Sequence, residues 1–301
     1  MKDLIISHSA DVDGVSPIIL YKLTKRKFDY KLSEIYELDN IIEEVIKQDE
    51  NYENVYIIDL TVSEKSYEAL EKSKYKGKIK VFDHHQTHLF AVKKRYVTIN
   101  IEECGTTLFY KYLCKNYEIK TKALDEYTNH VKDLDLWHWE EKENLIAKRL
   151  GDLFTIYGKE RYINSMVKKL RKQEHFDFST FEKKILAIEE EKIEKYIDRK
   201  DKELFEIKWK DYTFGAVFSE KYRSELGNTL SLRHPEYDFI VMINFGGGVS
   251  FRTNKDVDVS LVATSIGGGG HKKASGAPVY KEVKEMVLKQ IFEGCEIHED
   301  K

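Results

Sequence analysis

The chain has 301 residues, of which 41% are hydrophobic and 34% are charged, and its formal net charge is -3. A chain of this length is expected to form about two domains of about 150 residues each. Because the net charge is weakly negative, no large positive field is available for nonspecific binding to long duplex nucleic acid.

The first part of the chain alternates predicted strands with predicted helices. The strands are LIIS near residue 4, VYIID at 55, KIKVFD at 78 and YVTINI at 96. Segments with apolar residues at helical spacing lie between them. Repeated strand–helix–strand units predict a parallel sheet with helices on both faces, and residues 105–170 are then predicted to be helical throughout.

The later part of the chain begins with a long charged helix. Residues 181–205 have helical periodicity, and Phe181, Ile185, Ile188 and Ile193 are placed to form one apolar stripe. Strand character returns in YTFGAVF, YDFIVMINF and GVSFRTN. The sequence therefore predicts three parts: a domain over residues 1–180, a connector helix over 181–205 and a smaller α/β domain over 206–301.

Acidic and imidazole side chains follow three of the predicted strands. His8, Asp11 and Asp13 follow the first strand, Asp59 ends the second, and Asp83, His84 and His85 end the third. The carboxyl ends of parallel strands meet at one edge of a sheet, where ligands bind. Burying several carboxylates there without compensation costs several kcal/mol each. Divalent cations would remove that cost.

The type of ligand indicates the type of cation. Carboxylates and imidazoles without a thiolate suit manganese or magnesium and disfavour structural zinc. About six candidate ligands favour two ions that share one aspartate, an arrangement typical of enzymes that hydrolyse phosphate esters.

Each of these residues also has a plainer interpretation. Asp59 alone is typical of a helix N-cap, and a lone His8 is typical of a partly buried histidine. Asp13 before Gly14 is typical of a turn. The combination on consecutive strands favours the metal site, because helix caps do not require histidines.

A glycine run near the C-terminal end predicts an anion site. Residues 267–270 are four glycines, followed by His271, and glycine backbone N–H groups can approach phosphate closely. Arg252, near the end of a predicted strand, suits bidentate phosphate binding. The plainer alternatives are a flexible loop and an exposed arginine.

Two other segments have open interpretations. Residues 105–107, GTT, start a predicted helix whose N-terminus would meet substrate phosphate or would simply be capped. Residues 137–139, WHW, would stack on a base or lie at the rim of the core.

Three cysteines and the hydropathy pattern limit the cellular context. Cys104, Cys114 and Cys295 have no CxxC spacing, which argues against a disulfide framework and a zinc knuckle. No apolar run approaches the roughly 18 residues that span a bilayer, and the N-terminus becomes polar too soon for a signal peptide. We therefore expect a cytoplasmic protein that does not associate with membranes.

The motifs together resemble a known family. SHSADVDGV, IIDL, FDHH and VKDLD resemble the four N-terminal motifs of the DHH phosphoesterase superfamily. FRTN and SIGGGGHKKASGAP resemble the C-terminal domain of its DHHA-type branch, which includes RecJ-type exonucleases and nanoRNase/pAp phosphatases. These motifs extend over residues 7–278. The resemblance implies an α/β fold with a catalytic DHH domain, a connector helix and a substrate-binding domain, with the active site in the cleft between domains.

The resemblance also implies roles for individual residues. The implied metal ligands are His8, Asp11, Asp13, Asp59, His84 and Asp133, with Asp59 bridging two ions. The implied catalytic residues are Asp83, which orients the histidine pair, and His85, which faces the substrate phosphate. The implied substrate-binding residues are Arg252, Gly268, Gly269, Gly270 and His271. Asp135, two residues after Asp133, is the alternative last ligand, and His8 is the least secure one because its spacing to Asp11 differs among branches.

The expected activity is metal-dependent hydrolysis of short oligonucleotides or nucleotides by a two-metal hydroxide mechanism, as in nanoRNase/pAp phosphatases. The expected cofactor is two divalent ions, manganese first and magnesium second. The alternatives are a RecJ-like single-strand exonuclease, a dinucleotide phosphodiesterase and, outside the enzyme class, an inactive nucleotide-binding regulator. A homodimer is an open alternative to a monomer.

Overall fold

The computed structural model describes residues 2–293, so Cys295 and the last eight residues of the predicted C-terminal domain lie outside the described part. The chain divides into two compact units, Met1–Leu186 and Ala187–Lys301. The predicted α/β class is confirmed, since each unit contains a sheet covered by helices. None of the helices in residues 2–293 is long and apolar enough to cross a bilayer.

The first unit is built on a five-stranded parallel sheet. Its strands are β1 (Asp3–His8), β2 (Phe28–Ser33), β3 (Val55–Ile58), β4 (Ile79–Asp83) and β5 (Val97–Ile99). They lie in the order β2-β1-β3-β4-β5, with every neighbouring pair parallel. The three strands that end near acidic residues, β1, β3 and β4, are therefore direct neighbours.

Eight helices belong to the described part of this unit, some packed on the sheet and others packed on those helices. They are α1 (Val12–Leu23), α2 (Leu38–Lys47), α3 (Glu64–Lys72), α4 (Gly105–Tyr117), α5 (Lys122–Asp135), α6 (His138–Glu141), α7 (Leu145–Tyr157) and α8 (Lys159–Leu170). Because strand residues alternate between faces, Ile58 and Phe82 join one core with α1, α4, α5, α7 and α8. Ile57 and Val81 join the other core with α2 and α3. Short 3₁₀ turns occupy Ile35–Glu37 and Gln86–Ala91.

Strand β2 was not predicted from the sequence. Its residues, FDYKLS, alternate apolar and polar side chains and are mostly half-exposed. This pattern is typical of an edge strand, and it lacks the apolar run that marks the buried strands β1 and β3. Glu34, directly after β2, is consequently brought to the same sheet edge as the predicted acids.

The second unit contains a six-stranded mixed sheet. Its strands are β6 (Phe205–Trp209), β7 (Tyr212–Phe218), β8 (Ile240–Asn244), β9 (Gly248–Arg252), β10 (Gly269–His271) and β11 (Ala274–Ala277), in the order β10-β11-β9-β8-β7-β6. Only the β7–β8 pair is parallel. The helices of this part are α10 (Arg223–Arg233), α11 (Val259–Thr264) and α12 (Lys281–Ile291).

The long helix α9 (Thr180–Asp201) begins in the first unit and continues into the second. The predicted single apolar stripe is wrong, because Phe181 and Ile188 are 58% and 53% exposed. Leu186 is instead buried in the core of the first unit, and Ile193 and Ile197 are buried in that of the second. Different turns of the helix pack against two different cores, so its buried residues do not form a single stripe.

The start of α9 is fixed by a buried ion pair. The Glu182 carboxylate accepts hydrogen bonds from Lys169 Nζ at 2.6 Å and from the Ser179 backbone N–H at 2.7 Å. Ser179 Oγ in turn accepts from the Glu182 N–H at 3.2 Å, which completes a capping box. Burial opposes the charge, but these hydrogen bonds outweigh it and hold the pKa of Glu182 below its ordinary value.

We expect Glu182→Gln to lower the free energy of unfolding by about 3 kcal/mol at pH 7, because it leaves Lys169 buried without its counter-charge. The folded protein binds a proton at Glu182 less readily than the unfolded chain, so this contribution is full above the unfolded pKa of about 4.3. It is lost as the pH falls through the lower folded pKa. Urea unfolding at several pH values measures the difference.

The matched control is Glu191→Gln on the same helix, which breaks an exposed pair with Lys195. This variant is expected to unfold like the parent protein. Equal stability of Glu182→Gln and Glu191→Gln at pH 7 would contradict the role of the buried pair.

Candidate metal centre

The carboxyl ends of β1, β3 and β4 bring acids and imidazoles together around Asp59. His8 is the last residue of β1, and its Nδ1 lies 3.4 Å from Asp59 Oδ2. His84 follows β4, and its Nε2 lies 3.3 Å from Asp59 Oδ1. The two oxygens of one carboxylate therefore face imidazoles from two different strands.

Asp59 is held in an unusual conformation. Its φ is +56°, in the left-handed region that non-glycine residues rarely adopt, and its side chain is almost fully buried. The start of α4 packs directly against it, since a Cβ atom added to Gly105 would lie 2.8 Å from Asp59 Cβ. Backbone strain of this kind is concentrated at functional sites.

Three overlapping groups of side chains place one ligand atom each within 4.8 Å of one another. The groups are His8, Asp11 and Asp59; Asp13, His84 and Asp135; and Asp59, Asp83, His84 and His85. All the strand-end residues predicted from the sequence are thus brought together.

Asp13 has a second role beside its place in this cluster. Its two carboxylate oxygens accept hydrogen bonds from the backbone N–H groups of Gly105 at 2.7 Å and Thr106 at 2.8 Å. The hypothesis that the GTT segment meets substrate phosphate is therefore wrong for these two N–H groups, which are already bonded. The acid instead caps α4 and fixes that helix to the centre.

The structure places Asp135, and not Asp133, in the cluster. Asp135 Oδ2 lies 3.4 Å from His84 Nε2. The Asp133 carboxylate accepts from Lys142 Nζ at 2.6 Å and from Asn144 Nδ2 at 2.8 Å. Asp133 thus ties down the segment that follows α5, so we replace it with Asp135 in the predicted ligand set.

Asp83 organises the histidines that follow β4. It is fully buried and accepts hydrogen bonds from His85 Nδ1 at 2.7 Å and from His88 Nδ1 at 2.5 Å. His88 is itself buried and accepts from Tyr67 Oη at 2.7 Å. These bonds outweigh burial and hold the pKa of Asp83 well below its ordinary value. The predicted orienting role of Asp83 fits this geometry.

Two contributors were missed by sequence reasoning. His88 lies three residues after the histidine pair of the FDHH motif, in the sequence FDHHQTH, and this third histidine was the available signal. Glu34 follows the unpredicted strand β2, and its Oε2 lies 3.8 Å from His8 Nε2.

Burial and mutual repulsion perturb the acids of the cluster. Burial, followed by repulsion from Asp59, raises the pKa of Asp13 to about 7. Burial, followed by repulsion from Asp13, raises the pKa of Asp135 to about 9. Without a compensating cation, the site therefore resists holding all its carboxylates ionised.

The pKa values of the histidines are also raised, which favours the charged form of an imidazole. Hydrogen bonds to Asp11 and then to Asp59 raise the pKa of His8 to about 10. Burial lowers the pKa of His84, but Asp59 and Asp135 outweigh burial and raise it to about 9. The cluster thus attracts positive charge.

The donor set fits a divalent cation. Asp135 Oδ2 is buried and has no hydrogen-bond partner among the described residues. An unpaired buried carboxylate oxygen is costly, and coordination by a cation removes that cost. Carboxylate oxygens and imidazole nitrogens without thiolates are the ligands that manganese and magnesium accept.

In the second unit, Arg252 ends β9 and is partly buried. A Cβ atom added to Gly227 of α10 would lie 2.6 Å from Arg252 Cγ, so glycine makes room for this side chain. Burial, followed by repulsion from Arg223, lowers the Arg252 pKa. Its guanidinium donates to Phe251 O at 2.9 Å, and no carboxylate within residues 2–293 forms an ion pair with it. Such a group favours an anionic ligand.

The glycine run is only partly available to an anion. The Gly268 N–H donates to Ala263 O at 2.8 Å and the Gly267 N–H donates to Thr264 O at 3.1 Å, so both cap α11. The predicted contribution of the Gly268 N–H to an anion site does not fit this geometry. Gly269, Gly270 and His271 form the exposed edge strand β10.

The WHW segment lies beyond the end of α5. Trp137 is 48% exposed, stacks edge-on against Trp139 at 5.4 Å, and donates from Nε1 to Glu140 at 3.1 Å. Trp139 Nε1 and His138 Nδ1 are buried without a partner in the described part of the chain. The geometry thus leaves both the stacking and the rim interpretation open.

We expect Asp135→Asn to weaken binding of a divalent cation at least about tenfold, because it removes a ligand charge from the cluster. Asp133→Asn is the matched control two residues away, and its effect is expected to stay within about threefold. Calorimetric titration with Mn²⁺, with thermal unfolding to verify the fold, measures both. An equal or larger loss for Asp133→Asn would contradict the ligand set.

Comparison with known proteins agrees with the geometry. The DHHA1 domain family model matches residues 225–296. The chain is 35% identical over 300 residues to oligoribonuclease NrnB of Bacillus subtilis (strain 168), covering 95% of this chain and 75% of that protein.

Solved structures show the same fold. A pGpG-specific phosphodiesterase, PggH, from Vibrio cholerae matches with a TM-score of 0.56 and 15% identity, covering 97% of each chain. The exonuclease RecJ bound to manganese matches with a TM-score of 0.52 and 12% identity, covering 96% of this chain and 89% of that one. With the relative at 35% identity, these findings establish that the chain belongs to the DHH phosphoesterase superfamily, in the branch that carries a DHHA1 domain, and is a phosphoesterase.

Proposed function

We propose that this phosphoesterase hydrolyses phosphodiester or phosphomonoester bonds of short oligonucleotides or nucleotides with two divalent cations. The observation that carries the proposal is the position of Asp59, whose two oxygens face His8 at 3.4 Å and His84 at 3.3 Å. One carboxylate therefore borders both donor groups, as a ligand shared by two ions would. Manganese suits the mixed oxygen and imidazole donors, and magnesium is the alternative.

When bound, the cations supply an activated water and neutralise the charge on the phosphate. His8 and Asp11 would hold one ion, Asp13, His84 and Asp135 would hold the other, and Asp59 would be shared between them. Asp83 and His88 hold the loop after β4 in place.

His85 is the proposed contact to the phosphate. Its Nδ1–H is bonded to Asp83, which leaves Nε2 as its second donor. The hydrogen bond to Asp83 raises the pKa of His85, so the imidazolium is stabilised and can donate to a phosphate oxygen.

Substrate length is inferred from the relative and from the second unit. The relative at 35% identity is named an oligoribonuclease, which supports short RNA as substrate. The unpaired guanidinium of Arg252 and the exposed strand containing Gly269, Gly270 and His271 are proposed to bind a terminal phosphate or nucleotide.

A second candidate substrate is a linear dinucleotide. The pGpG-specific phosphodiesterase aligns with 97% of this chain over 97% of its own length, so the alignment includes both units. A single-strand exonuclease is the third candidate, since RecJ shares the fold.

We expect product formation with Mn²⁺ to be fastest on pApA, pAp and a five-nucleotide RNA, and at least about tenfold slower on a 25-nucleotide single-stranded DNA. The measurement is kcat/KM for each substrate under the same conditions, with pGpG included. Comparable or faster attack on the long DNA would replace the proposal with a RecJ-like exonuclease. A preference confined to pGpG would make it a dinucleotide phosphodiesterase.

We expect Asp59→Asn to lower kcat/KM for pApA at least about 100-fold, because the ligand between the two donor groups loses its charge. The matched control is Asp29→Asn, which changes a half-buried acid on β2 that is paired with Lys2, outside the metal cluster, and it is expected to retain full activity. Circular dichroism and thermal unfolding verify that both variants fold. An active Asp59→Asn enzyme would refute the two-metal assignment.

A further inference from the structure

A polar groove of about 750 Å³ lies between α4 and α5 in the first unit. We refer to it as the α4–α5 groove. Four lysines line it, Lys111, Lys115, Lys120 and Lys132, together with the acids Glu103 and Asp125. Its volume is within the range of about 300–1,000 Å³ that is typical of ligand sites. None of these six side chains belongs to the metal cluster.

One end of the groove points toward the metal centre. Helix α4 begins with Gly105, whose N–H is bonded to Asp13, and helix α5 ends with Asp135 of the cluster. The two helices thus leave the centre side by side. The groove residues on α4 extend from Thr107 to Lys115, which is about 12 Å at 1.5 Å per helical residue.

The acids of the groove already have partners. The Glu103 carboxylate lies 2.7 Å from Lys111 Nζ and 3.3 Å from Lys132 Nζ, and it accepts from Thr107 Oγ1 at 2.8 Å. Asp125 accepts from Tyr110 Oη at 2.9 Å. At the end near the metal centre, Glu103 thus offsets one of the two lysines Lys111 and Lys132, whereas Asp125, in the first turn of α5, lies toward the other end of the groove.

The far end of the groove has two lysines, Lys115 and Lys120, against one acid, Asp125, and is therefore positive. Lys115 and Lys120 form no ion pair with any carboxylate of residues 2–293. Lys115 is in the last turn of α4 and Lys120 is in the loop that leads to α5. A positive end in a chain with net charge -3 is a local feature, and it would attract an anion that extends away from the centre.

The lining also indicates how a ligand would be recognised. Tyr110 is the only aromatic residue among the groove's lining side chains, and it is buried with its hydroxyl bonded to Asp125. A base therefore finds no exposed ring on which to stack. Lysine ammonium groups bind phosphate as point charges, independently of base identity.

We propose that the α4–α5 groove binds the phosphodiester backbone of a single-stranded oligonucleotide whose reacting phosphate is at the metal centre, with Lys115 and Lys120 as the distal phosphate contacts. The inference rests on the proposed function. It adds a sequence-independent binding track in the catalytic unit itself, beside the substrate-binding residues proposed in the second unit.

The test is direct binding of a fluorescein-labelled five-nucleotide RNA in EDTA, followed by fluorescence anisotropy over a range of salt concentrations. The double variant Lys115→Ala/Lys120→Ala is expected to raise Kd at least about fivefold at low salt. The slope of log Kd against log salt should fall by about 1.4, since each single-strand phosphate contact contributes about 0.7.

The matched control is Lys159→Ala/Lys168→Ala, which removes two exposed lysines of α8 in the same unit. Its Kd and salt slope are expected to equal those of the parent protein. If the groove variant binds RNA as tightly as this control, the groove proposal is overturned.

Hydrolysis of pAp and pApA by the parent protein separates the two proposals. Turnover by the parent, together with unchanged RNA binding by the groove variant, refutes the groove alone. Absence of turnover by the parent, with RNA binding that depends on Lys115 and Lys120, refutes the proposed function and supports the groove.

Discussion

Repulsion among carboxylates at one edge of the parallel sheet is the constraint on which the site depends. At the opposite end of the same sheet, the protein's own side chains supply the hydrogen bonds that a buried carboxylate needs. Asp3, at the start of β1, is fully buried and accepts from Arg26 Nε at 3.1 Å and from Asn54 Nδ2 at 2.8 Å. Asp135 at the carboxyl edge has no such donors, and burial raises its pKa to about 9. The protein leaves this edge in need of cations.

The rest of the fold holds the acids in that unfavourable arrangement. The strained backbone of Asp59 fixes the carboxylate between two imidazoles, and Asp13 is fixed because it caps α4. The same cap attaches the start of α4 to the centre, and the proposed α4–α5 groove lies along this helix. Preorganised ligands of this kind lose little entropy when a metal or a phosphate binds.

Sequence pattern predicted the buried elements well and the exposed ones poorly. Apolar runs identified β1 and β3, and β4 is apolar apart from Lys80 and its terminal Asp83, because a strand covered on both faces is apolar on both faces. Strand β2 is half-exposed at the sheet edge and has no such run. Helix α9 packs against two cores, so one apolar stripe could not describe it. The family resemblance supplied ligand roles that periodicity alone did not.

By itself, the sequence determined which residue types end each buried strand and therefore that acids and histidines meet at one edge. Only the tertiary structure decided between Asp133 and Asp135. Residues two apart on a helix point about 200° apart, so the rotation of α5 against its neighbours selects which one faces the site. Likewise, the glycine run was visible in the sequence, but the bond from the Gly268 N–H to Ala263 O depends on where α11 ends. The rotation of a helix and the residue at which it ends are set by tertiary packing, so the types of the neighbouring residues in the sequence do not determine them.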